Sequence, residues 1–244
     1  MDCFTDEKNV LDWQRIIHML KIGIIASVTV LIGDIILGWG ISDPTAVEIP
    51  AVLSRYLSVS DGRIFASSLL GLIGIPIECL CWFAIYRMIF PYSEKDAHSF
   101  RTGIIGCLIF GGCGVHVPCC MAVYLFKRFY ENDSTAVSQE MLYWSCLFIL
   151  PSMILFLFFF FMAAIVQIKA FFQGHMPLPK RSCVFSILFG ILWLVVMRLF
   201  GDHALTNALS TGWISVVNLW MMCGLLAETK RVSKDVFGIP VPLR

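Results

Sequence analysis

The chain has 244 residues, 58% of them hydrophobic and only 14% charged, with a mean hydropathy of +0.81. That is too little polar surface to coat a water-soluble globule of this length. The net charge of +1 gives no reason to expect nucleic acid as a partner.

Apolar runs long enough to cross a bilayer recur along the whole chain, over 16–39, 64–89, 103–126, 141–168, 183–200 and 209–226. Each can span a hydrocarbon layer roughly 30 Å thick at about 1.5 Å per residue. The expectation is an all-α polytopic bundle of six transmembrane helices, forming one domain over 1–244. Thirteen of the eighteen Lys and Arg residues fall on the side that holds both termini. Arg55, Arg63, Lys127, Arg128 and Arg198 fall on the other. Basic residues favour the inner side, so both termini are expected to be cytoplasmic. The acidic start (Asp2, Asp6, Glu7, Asp12) lacks the basic region of a signal peptide, so the first run reads as an uncleaved anchor. Nearly all of the ten cysteines lie within apolar runs, where they act as small hydrophobes rather than as a disulfide framework.

In chain order, the first run places Gly23, Ser27, Asp34 and Gly38 on one narrow stripe. Lipid offers a carboxylate no partner, so this stripe faces other helices. The loop over 41–62 is broken near its start by Pro44 and Pro50. Its stretch Ala51–Val59 has the pattern of a short amphipathic helix, either a cap over the bundle or a lid above a site. The second run repeats the stripe with Ser67, Gly71, Gly74, Glu78 and Cys81, and Pro76 frees a backbone carbonyl just before Glu78. The third run is rich in glycine and aligns Gly106, Cys113, His116 and Cys120. Such a helix approaches its neighbours closely, which predicts a place at the bundle centre.

The fourth run is almost pure Phe and Leu over Leu155–Phe161 and reads as a lipid-facing rim. A stiff basic turn with Pro177, Pro179, Lys180 and Arg181 suits anionic headgroups. The fifth run ends in Arg198, Gly201 and Asp202. The sixth carries Thr211, Ser215 and Asn218 on one face, with Asn207 at its mouth. Trp213 and Trp220 fit either interface or packing.

A charge at membrane depth costs about 2.5–3.5 kcal/mol or more, so Asp34 and Glu78 need partners, protons or water. At 1.5 Å per residue Asp34 lies roughly 8–10 Å and His116 roughly 15 Å below the outer surface. Glu78 and Asn218 sit near the middle, and Arg198 and Asp202 are shallow. These stripes can therefore line one cavity that opens outward. The bland alternatives are a salt bridge from Asp34 to Arg198, a Glu78 carboxyl bonded to Asn218 or a backbone carbonyl, and a His116 that merely bonds a packed neighbour. In the functional reading Glu78, His116 and Asp34 are the catalytic groups, because histidine titrates near neutral pH and carboxyl groups exchange protons. Arg198, Asp202, Asn207, Asn218 and Ser215 are then the binding groups. Cys113, His116 and Cys120 share a face with Glu78 and Cys81 nearby, but their spacing matches no zinc signature. No haem pair is available to His116 either, so neither metal nor cofactor is expected.

The run Gly33-Asp34-Ile-Ile-Leu-Gly38, Arg63 opening a helix, Leu70-Gly-Leu-Ile-Gly74-Ile-Pro76, and Gly112 before His116 resemble a family of bacterial polytopic proteins classed as a domain of unknown function. The resemblance covers mainly the first three helices. It implies an integral bundle in the bacterial inner (plasma) membrane and no settled activity. Glu78 followed by Trp82 and Tyr86 is similar in design to integral membrane terpene cyclases and sterol-isomerase-like bundles, whose fuller motifs are absent. Three roles follow: a membrane-embedded enzyme acting on a lipid- or isoprenoid-like molecule, a small-solute or ion transporter, and a sensor or accessory subunit. The partners expected are membrane lipids, an apolar small molecule and, through the glycine-rich faces, a second copy of the chain.

Overall fold

Asp12 starts the first helix, its carboxylate accepting the Arg15 backbone N–H at 2.9 Å, as a capping side chain does. In this computed structural model, which describes residues 11–43, 45, 51–132 and 135–237, the described residues form helices and connecting turns. Helix α1 spans Trp13–Gly38. Its exposed last carbonyls are taken by Arg63, whose guanidinium donates to Ile36 O at 2.9 and 2.6 Å and to Trp39 O at 2.7 Å.

The loop that follows carries only a four-residue helix, α2, Ala51–Ser54. The helix expected to reach Val59 tightens instead into turns, with Tyr56 N–H bonded to Leu53 O and Val59 N–H to Tyr56 O. Pro44 and Pro50 lie outside the described residues. Lys127, on a later helix, pins this loop by donating to Val59 O at 2.8 Å and pairing with Asp61 at 3.2 Å.

Helices α3, Asp61–Cys81, and α4, Phe83–Ile89, make one crossing broken at Trp82. The Trp82 N–H is shared between Glu78 O at 3.2 Å and Cys79 O at 3.1 Å. Helix α5, Glu94–Phe110, and α6, Val117–Glu131, are joined by a π-helical turn over Gly112–His116, with His116 N–H reaching Gly111 O at 2.9 Å. Such turns re-aim the side chains they carry, and this one carries His116. Helix α7 runs Thr135–Gln173.

The packing corrects one expectation. It is α1, not the glycine-rich third crossing, that lies deepest: 44% of its membrane-length stretch is buried against 33% for the third. Helix α1 packs on α3 and α4 and on two later helices, α9 and α10, spanning Ala204–Thr211 and Trp213–Phe237. Two glycines of the third apolar run bring it against α7, Gly103 closing on Ala163 and Phe159 and Gly106 on Phe159, while Gly112 lies beside Ile75 and Pro76 of α3. Helix α7 is the least buried, at 22%, as its Phe and Leu composition requires.

Four helices are long and apolar enough to cross a membrane, or five if α9 and α10, bent by 70° at Gly212, form one crossing. The run over 183–200 differs from its expectation. It opens with a 3-10 turn, Lys180–Phe185, and its helix α8 is only the eleven residues Phe189–Leu199. The break between them is built in: Gln167, fully buried on α7, accepts the Ile187 N–H at 3.0 Å, so this stretch need not be helical to satisfy its backbone. The chain is tied down on either side of this stretch. At the starting end Asp96 holds Lys169 at 2.6 Å and His175 at 2.8 Å. At the far end Asp202 accepts the Ser42 N–H at 3.2 Å.

Candidate functional site

One contact between α3 and the π-helical turn sets the site. His116 Nε2 lies 3.0 Å from Ser67 O. A carbonyl oxygen only accepts, so Nε2 carries the hydrogen. Nδ1 then faces the carboxyl of Asp34, 3.8 Å from Oδ1. The other oxygen of Asp34 accepts the Ser215 hydroxyl at 2.6 Å. The bend at Gly212 permits this approach: a Cβ there would stand 2.9 Å from Asp34 Cβ. Neutral His116 therefore presents an open lone pair to Asp34, and protonated His116 makes an ion pair with it.

Glu78 sits one helical face away and is equally enclosed, 3% exposed. Ser27 on α1 donates its hydroxyl to Glu78 Oε1 at 2.5 Å. The carboxamide of Asn218 on α10 and the carboxyl of Asp34 are both close enough to interact with the same carboxyl. Both carboxyls are thus oriented by hydroxyl donors from α1 and α10, and neither is free to rotate.

Asp34, Glu78, His116, Ser215 and Asn218 all line one cavity of about 490 Å³, within the range of small-molecule sites. The rest of its wall is largely apolar and aromatic, including Val30, Ile75, Phe156, Phe160 and Trp213. Trp82 forms part of it, stacked on Phe100 at 6.4 Å and tilted against Phe160 at 6.1 Å. Tyr56 brings the loop over 51–60 to the cavity, and Arg55 donates to its hydroxyl at 2.9 Å. His116 does bond a packed neighbour, the Ser67 carbonyl, whereas Glu78 accepts from the Ser27 hydroxyl rather than donating to a carbonyl. Both also border one hollow.

The remaining sequence candidates lie elsewhere. Asp202 and Asn207 do not line the cavity. Asn207 donates to Asp202 Oδ1 at 2.5 Å and to Gly40 O at 2.9 Å, tying the start of α9 to the end of α1. The side chain of Arg198 lies outside what is described, and the Asp34–Arg198 pair with it. Among the described residues no three His, Cys, Asp or Glu side chains are grouped to hold a metal ion. Cys120 directs its thiol to Ser67 Oγ at 3.8 Å, and the nine described cysteines are free thiols.

Ser27 stands in the predicted stripe without an assigned role. Trp82 enters only through a resemblance, and Tyr56 only as part of a lid. The signal that would have found Ser27 is its pairing with Glu78 across two helices, which depends on their register.

The model of a family of unknown function, DUF6796, matches residues 6–232. This extends the expected resemblance from three helices to nearly the whole chain. No curated protein matches, and no solved structure does.

Proposed function

The chain belongs to the DUF6796 family, whose function is unknown, and on that premise we propose that it is a multi-pass membrane protein performing acid/base chemistry on a small, mainly apolar, lipid- or isoprenoid-like molecule. One observation carries the reading: two carboxyls and an imidazole, each oriented by a partner on another helix, face a single ligand-sized cavity with apolar walls. In this reading Glu78 protonates the bound molecule and His116, backed by Asp34, removes a proton from it. Ser27 and Asn218 position Glu78, and Ser215 positions Asp34. The apolar wall excludes water, which strengthens every polar contact within. The chain crosses a plasma membrane six times, the 3-10 turn and α8 together being the fifth passage. Both termini are cytoplasmic, a placement that the bias of thirteen basic residues in eighteen supports. The cavity opens at the end where Tyr56 meets it.

The test is proton exchange. Purified protein in lipid nanodiscs is incubated with a membrane lipid extract in D2O, and extract components are followed by mass spectrometry. Deuterium incorporation into a component, lost in Glu78→Gln and in His116→Asn, is expected. Incorporation that persists in both variants, or none with the wild type, removes the acid/base reading.

A small-solute or ion transporter is the second reading, favoured by the backbone. The 70° bend at Gly212 and the π-helical turn that ends at His116 both border the cavity, and broken helices at mid-membrane are how many transporters build their sites. Proton uptake into proteoliposomes that depends on Asp34 and on an added solute, without chemical change to that solute, would select it.

A further inference from the structure

Helix α10 borders two separate hollows. Ser215 and Asn218 line the cavity that holds Glu78. Val216, Trp220 and Cys223, spaced i, i+4 and i+7 on another face of the helix, line a cleft of about 660 Å³ between α10 and α8. The two hollows share no lining residue. Leu192 and Trp193 come to the cleft from α8, and no charged, hydroxyl or amide side chain lines it. Leu192 and Trp220 are each about half exposed, at 57% and 52%, so the cleft is open at the side of the bundle. Such a wall suits hydrocarbon.

The 3-10 turn Lys180–Phe185 is fastened to this cleft. Trp220 Nε1 donates to Val184 O at 3.1 Å, and both residues belong to the lining. The Phe185 ring lies 5.2 Å from the ring of Trp220 and fills the space that a Cβ at Gly224 would take. Arg181 precedes Val184 by three residues of this turn, about 6 Å along its axis. Lys180 and Arg181 are exposed, and among the described residues neither is in an ion pair. The end of α10 beyond Cys223 adds Lys230, Arg231 and Lys234 against Glu228 and Asp235, so this end of the cleft is basic.

Length and charge name the occupant. Along α10 the lining from Val216 to Cys223 covers about 11 Å, most of the roughly 15 Å depth of one leaflet's hydrocarbon. That matches one acyl chain. A second copy of the chain, paired by a two-fold axis, would set its own Lys180 and Arg181 against these, whereas an anionic headgroup brings the opposite charge. Anionic lipids are concentrated in the cytoplasmic leaflet, the side on which the bias of basic residues places this turn.

We infer that the cleft between α8 and α10 binds an anionic phospholipid, one acyl chain lying along Leu192, Trp193, Trp220 and Cys223 and the phosphate meeting Lys180 and Arg181. The inference goes beyond the acid/base reading and uses only the membrane placement of the chain.

The test is tryptophan fluorescence of the full chain in phosphatidylcholine nanodiscs, with dibrominated phosphatidylglycerol titrated in as quencher. Dibrominated phosphatidylcholine is the control. Saturable quenching by the anionic lipid is expected at a mole fraction about 30-fold lower than for the control, from about fivefold per cation. Lys180→Gln combined with Arg181→Gln should remove that preference. Cys223→Phe should remove the saturable quenching by filling the cleft, with the basic turn intact. Where Cys223→Phe does not fold, the wild-type comparison and the paired glutamine variant decide. Equal quenching by the two lipids, or saturable quenching that survives Cys223→Phe, overturns the proposal. So does displacement of the lipid by soluble glycerol phosphate, which would show a headgroup site without the cleft. A dimer that is lost in Cys223→Phe while lipid quenching stays unchanged assigns the cleft to a second copy instead.

Discussion

The ring of His116 occupies the space in which a side chain at Gly71 would begin: a Cβ built there meets Cδ2 and Nε2 of the imidazole. That contact lets the third crossing approach the second until His116 reaches the Ser67 carbonyl at 3.0 Å. Gly71→Ala is therefore expected to push the ring off both Ser67 and Asp34. Overpacking of this kind costs about 1–3 kcal/mol, read as a lowered Tm in detergent together with lost deuterium exchange. An alanine variant with wild-type Tm and exchange would contradict the described geometry.

Glu78→Gln should separate structure from chemistry. A glutamine oxygen still accepts from Ser27, which donates at 2.5 Å, and a neutral amide costs less to insert at membrane depth than a charge. The variant is expected to fold with a Tm no lower than wild type, while proton transfer falls by about 10²–10⁴-fold, the usual contribution of one positioned acid or base. Glu78→Leu instead strands the Ser27 hydroxyl and should lower the Tm.

Lys127→Met should loosen the loop that brings Tyr56 to the cavity. Lys127 is 8% exposed and donates to Val59 O at 2.8 Å, while Asp61 keeps Arg128 as a second cation. Removing the ammonium leaves the Val59 carbonyl without its donor, at a cost of about 1–3 kcal/mol. Limited proteolysis should cut within 41–62 faster than in wild type, with the rest of the bundle equally resistant. Equal cleavage rates would show that the loop is held by something else.

Asp202 gives a pH dependence of definite sign. Hydrogen bonds from Asn207 and then from Ser42, through its side chain and less through its N–H, hold its carboxyl below the ordinary value of 3.8. The folded value is thus below the unfolded one. Its contribution is fully present above about pH 4 and fades as the pH falls through the lower, folded value. The stability difference between wild type and Asp202→Asn, measured by thermal unfolding, should be constant from neutral pH to about 5 and shrink below 4. A difference that grows on acidification would reverse the assignment. The site is at the surface, so the effect is small.

Much of the cavity wall is legible from residue types and spacing. Asp34 and Glu78 cannot be left facing lipid, and Ser27, Ser67, Ser215 and Asn218 recur on the same stripes, so their helices turn these faces inward. Gln167 is the counterexample. Within the apolar fourth run it looks like an isolated polar residue, yet it is the acceptor for Ile187 N–H that allows the stretch before α8 to be part 3-10 turn. The fifth apolar run is long enough for a span, but hydropathy is silent on whether a run is straight. Likewise the glycines of the third run announce close approach without naming the neighbours, which are α7 at Gly103 and Gly106 and α3 at Gly112.

The apolar runs and the buried carboxyls follow from the sequence by itself, because lipid admits neither an open backbone nor an unpartnered charge. Which hydroxyl meets which carboxyl is decided only by tertiary structure. Ser27 reaches Glu78 and Ser215 reaches Asp34 through the rotation and register of α1 against α3 and α10. Spacing along one chain carries no information about that rotation.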